Sequence, residues 1–154
     1  WLMESYPFDF KRWSELGTSE LYQLLQLRSE VFVVEQECAY QDLDGQDFEA
    51  LHLTARAPTT QSLMAYARVY TTKIDEKEYA AIGRVCTAKK YRGQGISRQL
   101  MERAIQFINE KQELPITVSA QAYLEVFYQS LGFETVSEPY LEDGIPHIRM
   151  VREK

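Results

Sequence analysis

No apolar run in this sequence approaches the roughly 18 residues that a bilayer-crossing helix needs, so no membrane partner is expected. Cysteine is scarce: Cys38 and Cys86 are the only two, too few for a disulfide scaffold in 154 residues. Histidine is equally scarce, and His52 and His147 stand at no ligand spacing from those thiols, so no metal is expected. Residues 1–10 lack a basic segment followed by an apolar one, and no secretory signal is expected there. A reducing cytoplasm is the expected location. No repeat, low-complexity tract or Pro/Gly-rich linker divides the chain, which reads as a single domain over residues 1–154.

What is present is the composition of a soluble globular protein, 45% hydrophobic and 26% charged. Lys and Arg number 17 against 23 Asp and Glu, a net charge of −6 that argues against a dedicated nucleic-acid binder. The charge is unevenly spread. Between Arg28 and Arg56 lie seven acids (Glu30, Glu35, Glu37, Asp42, Asp44, Asp47 and Glu49) and no Lys or Arg. Residues 84–103 reverse the balance, with six bases (Arg84, Lys89, Lys90, Arg92, Arg98 and Arg103) against Glu102.

Periodicity predicts an α/β chain. Ser19 and Glu20 open a helix carrying Leu21, Leu24, Leu25, Arg28 and Phe32, which ends near Glu35 before a polar loop over residues 36–49. Residues 51–56 and 63–71 read as strands around an Ala57-Pro58-Thr59-Thr60 turn, and residues 79–87 as a third. The polar residues 73–77 bound that third strand. Ile96, Leu100, Ala104, Ile105 and Ile108 form an apolar helical stripe that stops before Pro115. A short strand over residues 116–120 follows. Next comes a helical face of Leu124, Phe127, Tyr128 and Leu131, closed by Gly132 in the left-handed conformation. Residues 133–140 and 147–152 read as a final strand pair across Asp143-Gly144.

The sharpest local feature is Arg92-Gly93-Gln94-Gly95-Ile96-Ser97, between a strand and an amphipathic helix. Glycines let the backbone turn successive N–H groups toward a ligand, and the helix N-terminus adds unpaired donors and partial positive charge. Such a turn suits a phosphate or pyrophosphate. The Walker A pattern is absent, and Arg98 stands where a dinucleotide fingerprint needs its third glycine. ATP and NAD are therefore disfavoured. Gly-x-Ser-x-Gly is also absent, and aligning Gly45 with a calcium-loop glycine puts Tyr40 and Leu51 at ligand positions.

Arg92-x-x-Gly95-x-Ser97 resembles the acyl-CoA pyrophosphate loop of the GNAT N-acetyltransferases, with Ser97 where the family has Gly or Ala. Independently, Phe127-Tyr128-Gln129-Ser130-Leu131-Gly132-Phe133 resembles that family's helix ending in Tyr followed by Gly-Phe. Three further segments are similar to the ElaA-like subgroup: residues 31–36, residues 40–45, and Glu142-Asp143-Gly144-Ile145-Pro146-His147. Ala39 departs from that pattern, which has Pro, and Tyr123 from one that often has His.

The resemblance implies a mixed, mostly antiparallel sheet flanked by helices, and acetyl transfer from acetyl-CoA to an amine by direct attack. It implies CoA contacts at Val85, Thr87, Arg92, Gly93, Gln94, Gly95, Ile96, Ser97 and Gln121, the last standing where many members have Asn. An amide near Val85 is the candidate donor to the thioester oxygen. Tyr128 maps onto the family's general acid, and a phenol is competent for that role. Spacing alone makes Tyr128 a core residue; the Phe-Tyr and Gly-Phe match shifts the reading to catalysis. A lysine-like amine, of pKa about 10.4, is neutral in about one molecule in two thousand at pH 7, so a base is useful. Glu35, Asp44 and His147 are the candidates, and the residues themselves do not choose among them. The acidic stretch could draw a cationic acceptor. Cys86, mid-strand, reads as packing rather than nucleophile. An acyl-CoA-binding sensor of the same fold is the rival reading, a longer acyl donor shares the same loop, and exposed sheet edges leave a homodimer open.

Overall fold

The computed structural model describes residues 7–153; residues 1–6, part of the segment read for a leader, lie outside it. One eight-stranded sheet organises the chain, in the order β1-β2-β3-β4-β5-β8-β6, with β7 also on β8. The strands are β1 (Phe8–Arg12), β2 (Leu51–Arg56), β3 (Leu63–Ile74), β4 (Lys77–Thr87), β5 (Ile116–Gln121), β6 (Glu134–Thr135), β7 (Tyr140–Glu142) and β8 (Ile145–Arg152). Every pairing is antiparallel except β4 with β5. The expected mixed, mostly antiparallel α/β sheet is therefore observed.

Side-chain alternation assigns the two faces. On β3, Ala65, Ala67 and Val69 turn to the larger core, where α2 (Ile96–Lys111) inserts Ile96, Leu100, Met101, Ala104, Ile105 and Ile108. This is the helical stripe read from the sequence, widened by Met101. Tyr66 turns to the opposite face, against Leu24, Leu27 and Val31. Those three belong to α1 (Thr18–Arg28) and its continuation as a wider π turn over Ser29–Glu35. The Cys38 N–H donating to the Val33 carbonyl at 3.0 Å closes that turn five residues back. Cys86 packs in this second cluster, and burial pushes its thiol up, out of the nucleophilic range.

Two boundaries differ from the sequence expectation. The polar residues 73–77 do not separate β3 from β4, because both strands run on to a two-residue turn at Asp75 and Glu76, with φ of +49° and +67°. That is the geometry of a type I′ hairpin, made here without the glycine that announces one. The expected strand over residues 133–140 is broken into β6 and β7. The Arg149 N–H finds the Ser137 hydroxyl at 2.9 Å in place of a backbone carbonyl, and Pro139 brings no N–H to a ladder. Gly132 takes the expected left-handed conformation after α3 (Glu125–Gln129), at φ +92°, and a Cβ there would meet Arg152 Nε at 3.0 Å.

The loop over residues 36–49 is pinned at its acids, although most of its residues are exposed. Asp47 accepts from Arg28 Nη1 at 2.7 Å and Arg68 Nη1 at 3.0 Å; Asp42 accepts from Arg28 Nε at 2.9 Å. Arg28 and Arg68 are 0% and 2% exposed, so both guanidinium groups are dehydrated and depend on these carboxylates. His52 completes the cluster, its Nδ1 2.6 Å from the Tyr66 hydroxyl and its Nε2 2.9 Å from the Asp47 carbonyl. Asp47→Asn leaves two buried cations short of a counter-charge. It is expected to cost about 3–5 kcal/mol, read as a lower urea midpoint at unchanged slope. A loss under about 1 kcal/mol would show that the cluster is not holding the loop.

Candidate functional site

β4 and β5 share only two register pairs, Ala80 with Ile116 and Ala81 with Thr117. Beyond them the strands part, and the space between opens into a cavity of about 910 Å³. The departure coincides with a bulge. Arg84 and Val85 together oppose the single Ala67 of β3, because Cys86 pairs with Tyr66 while Gly83 pairs with Arg68. Arg84 sits at φ +52°, a strained conformation for a non-glycine residue. Its side chain is held by Asp42 Oδ1 at 2.8 Å and the Asp42 carbonyl at 2.9 Å. The pinned loop thus fixes the bulge at the cavity wall.

At one end of the cavity lies the glycine turn. Gly95, at φ +78°, is the N-cap of α2, and Gly93 stands at φ +81°. No atom comes within 4 Å of a Cβ built at either, so the requirement for glycine is conformational. The Ser97 hydroxyl lies 2.7 Å from the Thr87 hydroxyl, tying the helix start to the end of β4. A depression of about 250 Å³ is lined by Thr87, Arg92, Gly93, Gly95, Ile96, Ser97 and Arg98 among others. Gln94 is exposed and lines neither cavity. Val85 and Gln121 line the larger one, and Gln121 Nε2 donates to Gln36 Oε1 at 3.3 Å.

Arg92 is committed to the protein. Its Nε donates to the Thr87 carbonyl at 3.0 Å and its two Nη groups grip both oxygens of Glu35, one at 2.9 Å. The guanidinium holds the Glu35 carboxyl below its ordinary range, which makes Glu35 a poor proton acceptor. Asp44 is gripped by Arg68, Nη1 to Oδ1 at 2.9 Å, with Arg84 3.5 Å away. Despite partial burial these contacts lower it to about 2, too weak a base to deprotonate an amine near neutral pH. Four of the seven acids in the acidic stretch are thus consumed by arginines. The cation-attracting field expected of them is largely cancelled inside the fold.

Tyr128 and His147 face the same cavity. Tyr128 is 5% exposed, and burial pushes its phenol up to about 12. Among the described residues its hydroxyl makes no hydrogen bond and is not sealed from solvent, so it opens on the cavity. His147 is also buried. Its Nδ1 lies 2.7 Å from the Ile145 carbonyl, which can only accept, so that nitrogen carries the proton and Nε2 is left as the acceptor.

Residues 22–154 match the Acetyltransferase (GNAT) domain family. The chain belongs to that family. It is 45% identical over 141 residues to Escherichia coli protein ElaA, covering 91% of this chain and 92% of that one. The crystal structure of E. coli ElaA has a TM-score of 0.87 and 41% identity, over 97% of this chain and 100% of the other. An acyl-CoA N-acyltransferase from Pseudomonas aeruginosa also has a TM-score of 0.87, at 45% identity, over 96% and 99% of the two chains. The protein is therefore an ElaA-like member of the GNAT family.

Of the residues singled out in the sequence, Glu35, Asp44, Val85, Thr87, Arg92, Ser97, Gln121, Tyr128 and His147 line the larger cavity. Sequence reading missed the bulge at Arg84, and it missed Glu142 and Arg149, which line the cavity from β7 and β8. The alternation of β8, with Ile148 and Met150 in the core and His147 and Arg149 opposite, is the signal that could have found Arg149. Gly95→Ala forces a Cβ onto a left-handed N-cap. It is expected to weaken CoA binding at least about tenfold in calorimetric titration, with a loss of about 1 kcal/mol in stability. CoA affinity equal to that of the parent protein would show that the turn does not carry the phosphates.

Proposed function

We propose that this chain is an N-acetyltransferase that moves an acetyl group from acetyl-CoA to a primary amine of a small molecule or protein. The observation that carries the reading is one continuous cavity joining the end of β4, Tyr128 and His147, beside the glycine turn. The 45% identity to an acyl-CoA N-acyltransferase supports the same donor class. The turn fits a pyrophosphate because two left-handed glycines precede the free N–H groups of a sixteen-residue helix. With Arg92 neutralised by Glu35, these backbone donors carry the phosphate contact, and Arg92 braces the turn against β4.

In the reaction the amine nitrogen bonds to the thioester carbonyl carbon and the carbon–sulfur bond breaks. The amide near Val85, freed from the β3 ladder by the bulge, is assigned to the carbonyl oxygen as negative charge gathers there. Tyr128 gives its hydroxyl proton to the departing sulfur, and the phenolate is reprotonated from solvent as His147 releases the proton it took from the amine. A phenol at about 12 stays protonated across the working range, so the donor is always armed. His147 Nε2 receives the amine proton, because Glu35 and Asp44 are held by arginines as weak bases. The test is release of free thiol from acetyl-CoA on addition of amines. Tyr128→Phe is expected to lower kcat about a hundredfold while CoA binding persists. Undiminished turnover in that variant would remove Tyr128 from the chemistry, and tight acetyl-CoA binding with no amine-dependent thiol release would favour a sensor.

A further inference from the structure

Four arginines line the cavity, and three of them are neutralised: Arg68 by Asp44 and Asp47, Arg84 by Asp42, and Arg92 by Glu35. Arg149 is not. Among the described residues it has no carboxylate within ion-pair distance, and its one side-chain hydrogen bond runs from Nη1 to the Thr117 hydroxyl at 3.1 Å. A half-buried guanidinium lacking a counter-ion, with most of its donors unused, is a seat for an anion. Opposite it stand two acids of the cavity lining that no arginine holds among the described residues, Glu142 and its neighbour Asp143. Glu142 accepts from the Ser119 hydroxyl at 3.2 Å, and its other oxygen lies 3.5 Å from His147 Nε2. When His147 is neutral with its proton on Nδ1, Nε2 and Glu142 Oε2 both accept, and an incoming N–H group would bridge them.

Ser119 stands between the two charges. It is the cross-strand partner of Arg149, so their Cβ atoms lie roughly 5 Å apart. Arg149 leans away along β5 toward Thr117, and Glu142 leans toward the His147 end, with the Tyr140 hydroxyl also 2.5 Å from Ser119. The two charges are therefore directed to opposite sides of Ser119. We infer that the acceptor is an amine that itself carries a carboxylate, an amino-acid-like molecule whose anion docks on Arg149 and whose amine sits between Glu142 and His147. This rests on the proposed acetyl transfer and adds a carboxylate to the amine acceptor that the acidic stretch could draw. Arg149 becomes the residue that sets specificity, and Glu142 positions the amine.

The test compares acceptors that differ only by a carboxylate, lysine with cadaverine and alanine with ethylamine. Each is followed by thiol release from acetyl-CoA and by calorimetric binding to the CoA-loaded protein. The carboxylate-bearing member of a pair is expected to be favoured by at least about tenfold in kcat/KM or in Kd. Arg149→Gln should lower that preference about tenfold, and Arg149→Lys should restore part of it by keeping the charge without the fork. A merely structural Arg149 would lower both members of a pair equally and leave their ratio unmoved. Equal handling of both members by the parent protein, or binding of neither, overturns the inference. Carboxylate-selective binding without thiol release upholds the subsite while rejecting acetyl transfer, which separates the two failures.

Discussion

Two register pairs join β4 to β5, and the cleft exists because there is no third. A parallel pair that continued would fill the space with its own hydrogen bonds and side chains. Parting them leaves strand edges whose backbone groups need other partners. On the β3 side, the bulge at Arg84 and Val85 interrupts the ladder beside the cleft before pairing resumes at Cys86 and Thr87. The donor side of the site is built on the end of β4: Thr87 receives Arg92, Val85 lines the cavity, and the glycine turn begins just beyond.

A strand interrupted in this way has to be held by something else. The loop over residues 36–49 does so through charge, with Asp42, Asp44 and Asp47 spread among Arg28, Arg68 and Arg84. Buried ion pairs seldom add much stability over apolar packing, but they are specific about geometry. Here they fix the wall of a cavity. The same pairings redraw the electrostatics of the molecule. The net charge of −6 looks like an acidic pole facing a basic one, yet Arg84 and Arg92 of the basic segment pair with Asp42 and Glu35 of the acidic one. Among the described residues, the cavity charges that no opposite guanidinium or carboxylate holds are Arg149, Glu142 and Asp143, with Ser119 between the first two.

Much of this was legible in the chain. The stripe from Ile96 to Ile108 and the turn from Arg92 to Ser97 depend on local periodicity and local backbone freedom, and both are observed. The left-handed Gly132 is legible for the same reason. The misses share a different physics. The Asp75-Glu76 turn uses positive φ at residues that do not announce it, and the Arg84 bulge is a register event between strands rather than a property of either. The pairing of Glu35 with Arg92 spans 57 positions, so no spacing rule reaches it. Three base candidates that were equal as residue types become unequal once their partners are known, since arginines hold two of them and a backbone carbonyl fixes the tautomer of the third.

The central claim is that the parting of β4 from β5 is the acyl-CoA site. A crystal structure of the protein with CoA bound tests it most directly. The pyrophosphate is expected on the backbone N–H groups of residues 93–97, with the sulfur in the cavity between the Val85 amide and the Tyr128 hydroxyl. Phosphates bound away from that turn, or a sulfur beyond reach of Tyr128, would contradict it.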